Sequence, residues 1–394
     1  MTDSESFTHV QPVYSLKQLT QYFLKLGTLG FGGPIALVGY MHRDLVEERQ
    51  WVSDAEYQEG LTLAQVAPGP LAAQLSFYLG YVHYGFLGSA LVGFAFVLPS
   101  FLIVVALGWA YTLYGGLNWM QAVFYGVGAA VIGIIAISAY KLTRKTVGTS
   151  WLLWSVYLVN AVTTIVTESE RVELILGSGA LVLLIKFPPK HWIKQNRLNS
   201  FIGLPLIPLL AAVPTATTSL LGQIALFFTQ AGAFVFGSGL AIVPFLYGGV
   251  VKDFGWLNSQ QFLDAVAVAM ITPGPVVITT GFIGFLVAGF PGACVAAIAM
   301  FIPCYLLTVI PAPYFKKHGK SPKISTFVNG VTVAATGAIA GAVVVLGQQS
   351  LHDLPTFLIG LIALISSWKL GKKLPEPLII VIAAIAGVIF WPKQ

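Results

Sequence analysis

The sequence predicts an all-α integral membrane protein of two homologous halves, arranged as inverted repeats, with about 10 to 13 transmembrane helices, some of them discontinuous. Three observations predict this: the composition, an internal repeat and the placement of the charges. Of the residues, 56% are hydrophobic and 9% are charged. Soluble domains carry about 25% charged residues, so too few charges remain here to coat a water-exposed surface. The 394 residues leave room for roughly a dozen spans of about 20 residues each.

The repeat is explicit. A shift of 205 places Phe23, Gly27, Phe31, Gly32 and Trp51 on Phe228, Gly232, Phe236, Gly237 and Trp256. The same shift superposes Pro68-Gly69-Pro70 on Pro273-Gly274-Pro275. After one deleted residue, a shift of 204 matches Gly80, Gly85, Gly88, Pro99 and Gly126 to Gly284, Gly289, Gly292, Pro303 and Gly330. Pro-Gly-Pro is expected by chance about 0.07 times in a chain of this length. Two copies in register mark a duplicated unit.

In the first half the apolar stretches run 20–41, 57–84, 88–113, 119–140, 151–167 and 172–187. Lys141, Arg144 and Lys145 follow the fourth, the acidic Glu168, Glu170 and Glu173 the fifth, and Lys186, Lys190, Lys194 and Arg197 the sixth. Basic loops stay on the cytoplasmic side, which places the N-terminus, the 141–150 loop and the linker there. In the second half the basic group arrives one span earlier. Lys316, Lys317, Lys320 and Lys323 follow the third stretch, 348–353 has no Lys or Arg, and Lys369, Lys372 and Lys373 follow the fifth. The inverted pattern predicts antiparallel halves and an odd number of crossings between them, which the Pro-rich stretch 201–220 would complete. The expected division is a first repeat over 1–190, a basic linker with a possible extra helix over 191–220, and a second repeat over 221–394. Residues 1–16 lack the basic-then-apolar layout of a cleaved signal peptide, so the first apolar segment is expected to stay in the mature protein.

Each half opens with a glycine-rich break: Gly30-Phe31-Gly32-Gly33-Pro34 in the first, Gly237-Ser238-Gly239 in the second. A Pro-Gly-Pro then interrupts the second apolar stretch. Proline removes a backbone donor and glycine eases irregular backbone. Broken helices at membrane depth are tolerated only where they face protein or a watery cavity. New helix starts at 33–35, 70–71, 239–241 and 275–276 would aim free N–H groups and a positive dipole end at an anion. The alternative is simple kinks and close-packing glycines; their symmetric pairing favours a substrate site. Gln65, Gln74 and Ser76 in the first half, and Thr272, Thr279 and Thr280 in the second, lie near enough to add hydrogen bonds.

Charges inside apolar stretches are functional candidates. Glu59 and Asp264 coincide under the 205 shift, each nine residues before the Pro-Gly-Pro. Nine helical residues span about 13.5 Å, so these carboxylates belong nearer an interface than the midplane, as coupling or gating acids or as solvated interfacial ones. Lys25 either neutralises the substrate or snorkels to the headgroups. In the charged segment 42–51, Glu47 is a further coupling candidate, and the planar fork of Arg43 suits bidentate contact with an oxyanion at a cavity mouth.

Other classes lack support. The histidines are scattered without metal-ligand spacing, Cys294 and Cys304 have no partner ligands, and no phosphate-cradling Gly-Lys-Ser/Thr loop is present. Neither an enzyme nor a cofactor is expected, and the basic residues sit in short loops that form no nucleic-acid face. The small-residue face Gly126, Gly128, Ala129, Ala130 and Gly133 suits packing against the other half or against a second subunit in a homodimer.

The chain resembles the chromate ion transporter family in its long, two-domain form. The resemblance rests on Phe31-Gly32-Gly33-Pro34 with Ala36, Met41-His42-Arg43, Trp51 and 65–70, echoed by Phe236-Gly237-Ser238-Gly239, Trp256 and Pro273-Gly274-Pro275. It implies chromate efflux from the cytoplasm and chromate resistance, with sulfate as a chemically similar competitor. Arg43, Glu47, Gln65, Pro68, Gly69 and Pro70 fall on positions typical of the family's motif. The second half departs from it, with Thr272 for Ala67 and Gly248 for Arg43, so the halves are expected to contribute unequally. Sulfate uptake and a passive anion channel remain the alternatives.

Overall fold

A computed structural model describes residues 14–31, 33–115, 117–168, 171–188, 219–234, 242–314, 322–369 and 376–391. The expected extra crossing at 201–220 and the break Gly237-Ser238-Gly239 lie outside these residues, as does Gly32. The described residues form fourteen α-helices and no strand.

The first half contributes α1 (Leu16–Leu29), α2 (Gly33–His42), α3 (Asp54–Val66), α4 (Leu71–Tyr114), α5 (Asn118–Thr146), α6 (Trp151–Thr167) and α7 (Val172–Lys186). The second contributes α8 (Leu220–Phe234), α9 (Val243–Tyr247), α10 (Ser259–Ile271), α11 (Thr279–Val309), α12 (Pro322–Ser350), α13 (Leu354–Lys369) and α14 (Glu376–Phe390). The repeat reaches into local detail. A π-turn, Arg43–Glu48, extends α2, and another, Gly248–Asp253, extends α9. Capping boxes, Ser53 with Glu56 and Asn258 with Gln261, open α3 and α10.

The front of each half folds back on itself. The Tyr22 hydroxyl donates to Asp44 at 3.2 Å, and Trp51 stacks on Tyr14 at 4.8 Å, so α1 and the α2 segment run antiparallel with the glycine break at their tip. Glu56 lies 3.4 Å from His83, and Gly60 packs on the ring of Tyr78. The helix α3 and the first arm of α4 are therefore a second hairpin, with Pro68-Gly69-Pro70 at its tip. At 1.5 Å per residue, arms of this length reach about 20 Å in from one face. The apolar stretches 20–41 and 57–84 are thus re-entrant hairpins. A stretch long enough to cross and one that dips and returns carry the same composition, and the mid-stretch break is what separates them.

Gly85 then turns the chain, with φ 61° and ψ −155°, a conformation open essentially to glycine alone. A methyl group on Gly80 would stand 2.7 Å from the Gly88 carbonyl, so the two arms of α4 touch as they reverse. Gly289 repeats the turn in α11, at φ 63° and ψ −156°.

The halves run in opposite senses. Phe101 meets Phe290 at 6.5 Å, while the Phe86 carbonyl accepts from the Tyr305 hydroxyl at 3.0 Å, so α4 and its counterpart α11 are antiparallel. A methyl on Gly128 would meet Ser350 Oγ at 3.3 Å, and one on Gly347 would meet Ile132 at 3.7 Å, so α5 and α12 are antiparallel too. The closing helix pairs are exchanged: α6 and α7 pack on α12, and α13 and α14 pack on α5. Gly126 lies against Ala383 and Gly387, and Gly133 against Gly360, so the small-residue face of α5 is taken by the other half.

Among the described residues, four elements are long and apolar enough to cross a membrane: Leu71–Tyr114, Asn118–Thr146, Val276–Tyr314 and Pro322–Ser350. Around them the outward side chains are apolar, among them Leu87, Phe94, Val166, Trp151 and Ile389. In water such a surface would aggregate; in a bilayer it is the solvated face.

Candidate substrate site

Two of the hairpin tips meet in the interior. The Gly274 N–H donates to the Gly30 carbonyl at 3.0 Å, tying the second Pro-Gly-Pro to the first glycine break. Ser100 of α4 donates to the Pro273 carbonyl at 2.7 Å and lies 3.4 Å from the Gly27 carbonyl. Cys304, its counterpart in α11, sits 3.3 Å from the Gly232 carbonyl. Both central glycines have positive φ, 142° at Gly69 and 91° at Gly274, and a methyl on Gly274 would overlap Ser100 Oγ.

At each Pro-Gly-Pro a helix begins without a side-chain cap. Pro70 precedes α4, and Pro275 precedes the 3₁₀ turn Val276–Ile278 that leads into α11. Of the residues whose N–H groups lack an intrahelical partner, Ala72 and Ala73 in the first half and Val276 and Val277 in the second are buried, and Leu71 is half-buried. A buried helix start needs partners from side chains, water or a ligand. Several paired N–H groups backed by helix dipoles suit an oxyanion.

The polar side chains divide the work. Gln74 is fully buried, its Nε2 donates to the Pro68 carbonyl at 2.7 Å, and its Oε1 has no partner. Thr272, Thr279 and Thr280 donate back to the carbonyls of Val268, Val276 and Val277, and Ser76 to that of Ala73. Their donors are therefore engaged, leaving the backbone N–H groups as the principal free donors at the tips.

Among the sequence candidates, the structure brings Gly33, Pro34, Pro68, Gly69, Pro70, Gln74, Thr272, Pro273, Gly274, Pro275 and Thr279 to or beside the hairpin tips. It does not bring Arg43 there. Arg43 lies at the base of the first hairpin, exposed, with its guanidinium 2.7 Å from Asp44 and over the Tyr40 ring. Glu47 pairs with His42 at 3.1 Å at that same base, and Lys25 and Gln65 are exposed. Glu59 is half-buried against the Tyr78 hydroxyl, whereas Asp264 is 3% exposed.

Three residues at or near the site were not found from the sequence. Ser100 was legible through the 204 shift, which pairs it with Cys304. Tyr111 reaches Asp264 from the other half, and a methyl on Gly33 would stand 3.7 Å from Glu376 Oε2, contributed by α14. Both depend on contacts between the halves that no local pattern announces.

The pattern of one family, the chromate transporters, matches residues 17–193 and again 222–388. The chain belongs to the chromate transporter family. A probable chromate transport protein of Synechococcus elongatus is 96% identical over 393 residues, covering 100% of both chains. The chromate transport protein of Cupriavidus metallidurans is 63% identical over 391 residues, covering 99% of this chain and 97% of that one. That of Pseudomonas aeruginosa is 29% identical over 405 residues, covering 98% and 95%. No solved structure matches. The two family matches coincide with the two inverted bundles, so in this chromate transporter family member each copy of the pattern spans seven of the described helices.

Proposed function

We propose that the protein is a secondary transporter that carries chromate outward across the cytoplasmic membrane and thereby confers chromate resistance. One observation carries the reading: each Pro-Gly-Pro leads into a buried helix start without a side-chain cap, at the tip of a hairpin, and the two hairpins enter from opposite faces. Such starts supply N–H donors and dipole ends to a tetrahedral dianion without a fixed cation. Hairpins from opposite faces supply the two gates that alternating access requires. The full-length relatives that bear the chromate transport name support the choice of anion.

Outward movement follows from the charge. An inside-negative potential is worth about 2.3 kcal/mol per elementary charge per 100 mV, so a dianion leaves downhill. The basic loop 141–150 and the first hairpin bases then face the cytoplasm. Sulfate has the same charge and shape, and backbone donors separate the two weakly, so sulfate competes.

Purified protein in liposomes tests this, with chromate followed by its absorbance under an imposed potassium diffusion potential. Saturable chromate flux that sulfate inhibits and the potential drives outward is the expected result. Flux of sulfate without chromate would transfer the function to sulfate. Non-saturable flux would make the protein a channel, and no flux of either anion would refute the assignment.

A further inference from the structure

Away from the tips, a cavity of about 640 Å³ opens on the face opposite the 141–150 loop, lined in part by Tyr111, Gln121, Tyr125, Gln260 and Asp264. Asp264 lies on α10, nine residues before the second Pro-Gly-Pro, and is 3% exposed. Its Oδ2 accepts from the Tyr111 hydroxyl at 2.7 Å and its Oδ1 from Gln260 Nε2 at 2.9 Å. Both donors are neutral.

The other charged groups on the surrounding elements are turned elsewhere. Tyr125 of α5 donates to Asp353, which opens α13. Lys252, on the π-turn packed against α10, pairs with Glu168. Tyr247 of α9 is engaged with Ser259 and Gln349. Glu376 of α14 and Lys323 of α12 stand at the far ends of their helices. Among the described residues, no cation faces Asp264.

A buried carboxylate without a cation is costly as an anion, and a proton removes that cost. The hydrogen bond from Tyr111 also joins the two halves, since Tyr111 belongs to α4 of the first and Asp264 to α10 of the second. A bond to a carboxylate is roughly twice as strong as one to a neutral acid, so protonation loosens that joint. The helix that carries Asp264 ends at the Pro-Gly-Pro tip, about 13.5 Å away at helical rise.

Resting on the chromate efflux reading, we propose that Asp264 is the proton-binding site that couples chromate efflux to proton entry, its protonation releasing the α10 hairpin of the second half from α4. A hydronium ion in the cavity gives its proton to an Asp264 oxygen, forming one O–H bond and leaving water. The proton departs to the other side once access has switched, and nothing is oxidised or reduced. Glu59, beside Tyr78 of its own half, is the counterpart of Asp264 in the hairpin that enters from the other face.

The test is chromate flux in liposomes with the voltage clamped by potassium and valinomycin, while an entrapped pH dye reports protons. Wild-type protein is expected to move protons opposite to chromate and to speed up severalfold under a matching pH gradient. Asp264→Asn is expected to lose both effects while keeping chromate-for-chromate exchange, which needs no net proton movement. Tyr111→Phe removes a donor to the charged form and is expected to move the pH of half-maximal flux upward by about 1 unit. It also serves as the working variant if Asp264→Asn fails to fold.

Chromate flux without proton movement in the wild type overturns this proposal and leaves the transport reading standing. So does undiminished proton movement in Asp264→Asn, or a Tyr111→Phe profile that coincides with the wild type. No chromate flux at all in the wild type overturns the transport reading itself.

Discussion

Gly274→Ala puts the geometry of the tips under direct strain. Gly274 has φ +91°, its N–H is bonded to Gly30, and a methyl there would overlap Ser100 Oγ and lie 3.6 Å from the Gly27 carbonyl. Holding a non-glycine residue in that conformation costs about 1–3 kcal/mol. Displacing Ser100 leaves the buried Pro273 carbonyl without its donor, a further cost of about 1 kcal/mol or more. The sum, about 3 kcal/mol, corresponds to roughly two decades in the population of the closed tip. Chromate flux in liposomes is therefore expected to fall about a hundredfold while the protein still purifies as a folded species. Gly85→Ala is the reference: φ is +61° and no atom lies within 4 Å, so it reports dihedral strain away from the site. It should lower the melting temperature and spare flux in the molecules that remain folded. Wild-type flux in Gly274→Ala, or equal flux loss in both variants, would refute the reasoning that the tips are the site.

Gln74→Leu removes the amide that caps the Pro68 carbonyl inside a fully buried pocket. An orphaned buried acceptor costs about 1–3 kcal/mol, and at least a tenfold loss of chromate flux with normal expression is expected. Asp353 lies in the turn before α13. Burial pushes its carboxyl upward, but the bonds from Tyr125 and from Thr356 prevail and hold it below the usual carboxylate range. Its stabilising contribution is therefore present above about pH 4 and lost as pH falls through the lowered value. Thermal melts in detergent across that acid range should show a flatter acid limb for Asp353→Asn. For the inverted arrangement, Gly148→Cys and His352→Cys, in a background with Cys294→Ser and Cys304→Ser, should react with an impermeant maleimide from opposite sides. Labelling from the same side would refute it. Gly126→Val would force a side chain into the Ala383 and Gly387 backbone, and loss of the folded-protein peak on size-exclusion chromatography is expected.

The sequence made the repeat legible almost residue by residue. Gly27 and Gly232, matched by the shift, both press on a carbonyl of the crossing helix, that of Phe96 and that of Met300. Gly85 and Gly289 take the same dihedrals. These positions are readable because only glycine or proline satisfies them. The inverted sense was legible from lysines and arginines, since loop charge is selected by the side of the membrane. The reversal at Gly85 was not legible, because a helix that turns back keeps the same apolar residues as one that continues. The place of Arg43 was not legible either: position in the chain gave its nearness to the break, and only the antiparallel return of α2 carries it back to the base. Contacts between halves, such as Tyr111 with Asp264, leave no trace in either local pattern.

The exchange of closing helices sets the order in which the molecule can be completed. As the chain emerges, α6 and α7 enter the bilayer with their main packing face uncovered, because their partner α12 is made more than a hundred residues later. The same holds for α5, whose glycine-lined face waits for α13 and α14 at the far end of the chain. Neither bundle is a finished object by itself, so a nascent chain halted after Lys186 is a set of inserted helices with open seams. A single half expressed alone would close those seams only by capturing another copy inserted the opposite way up. Duplication within one chain makes that encounter intramolecular and fixes its stoichiometry at one to one.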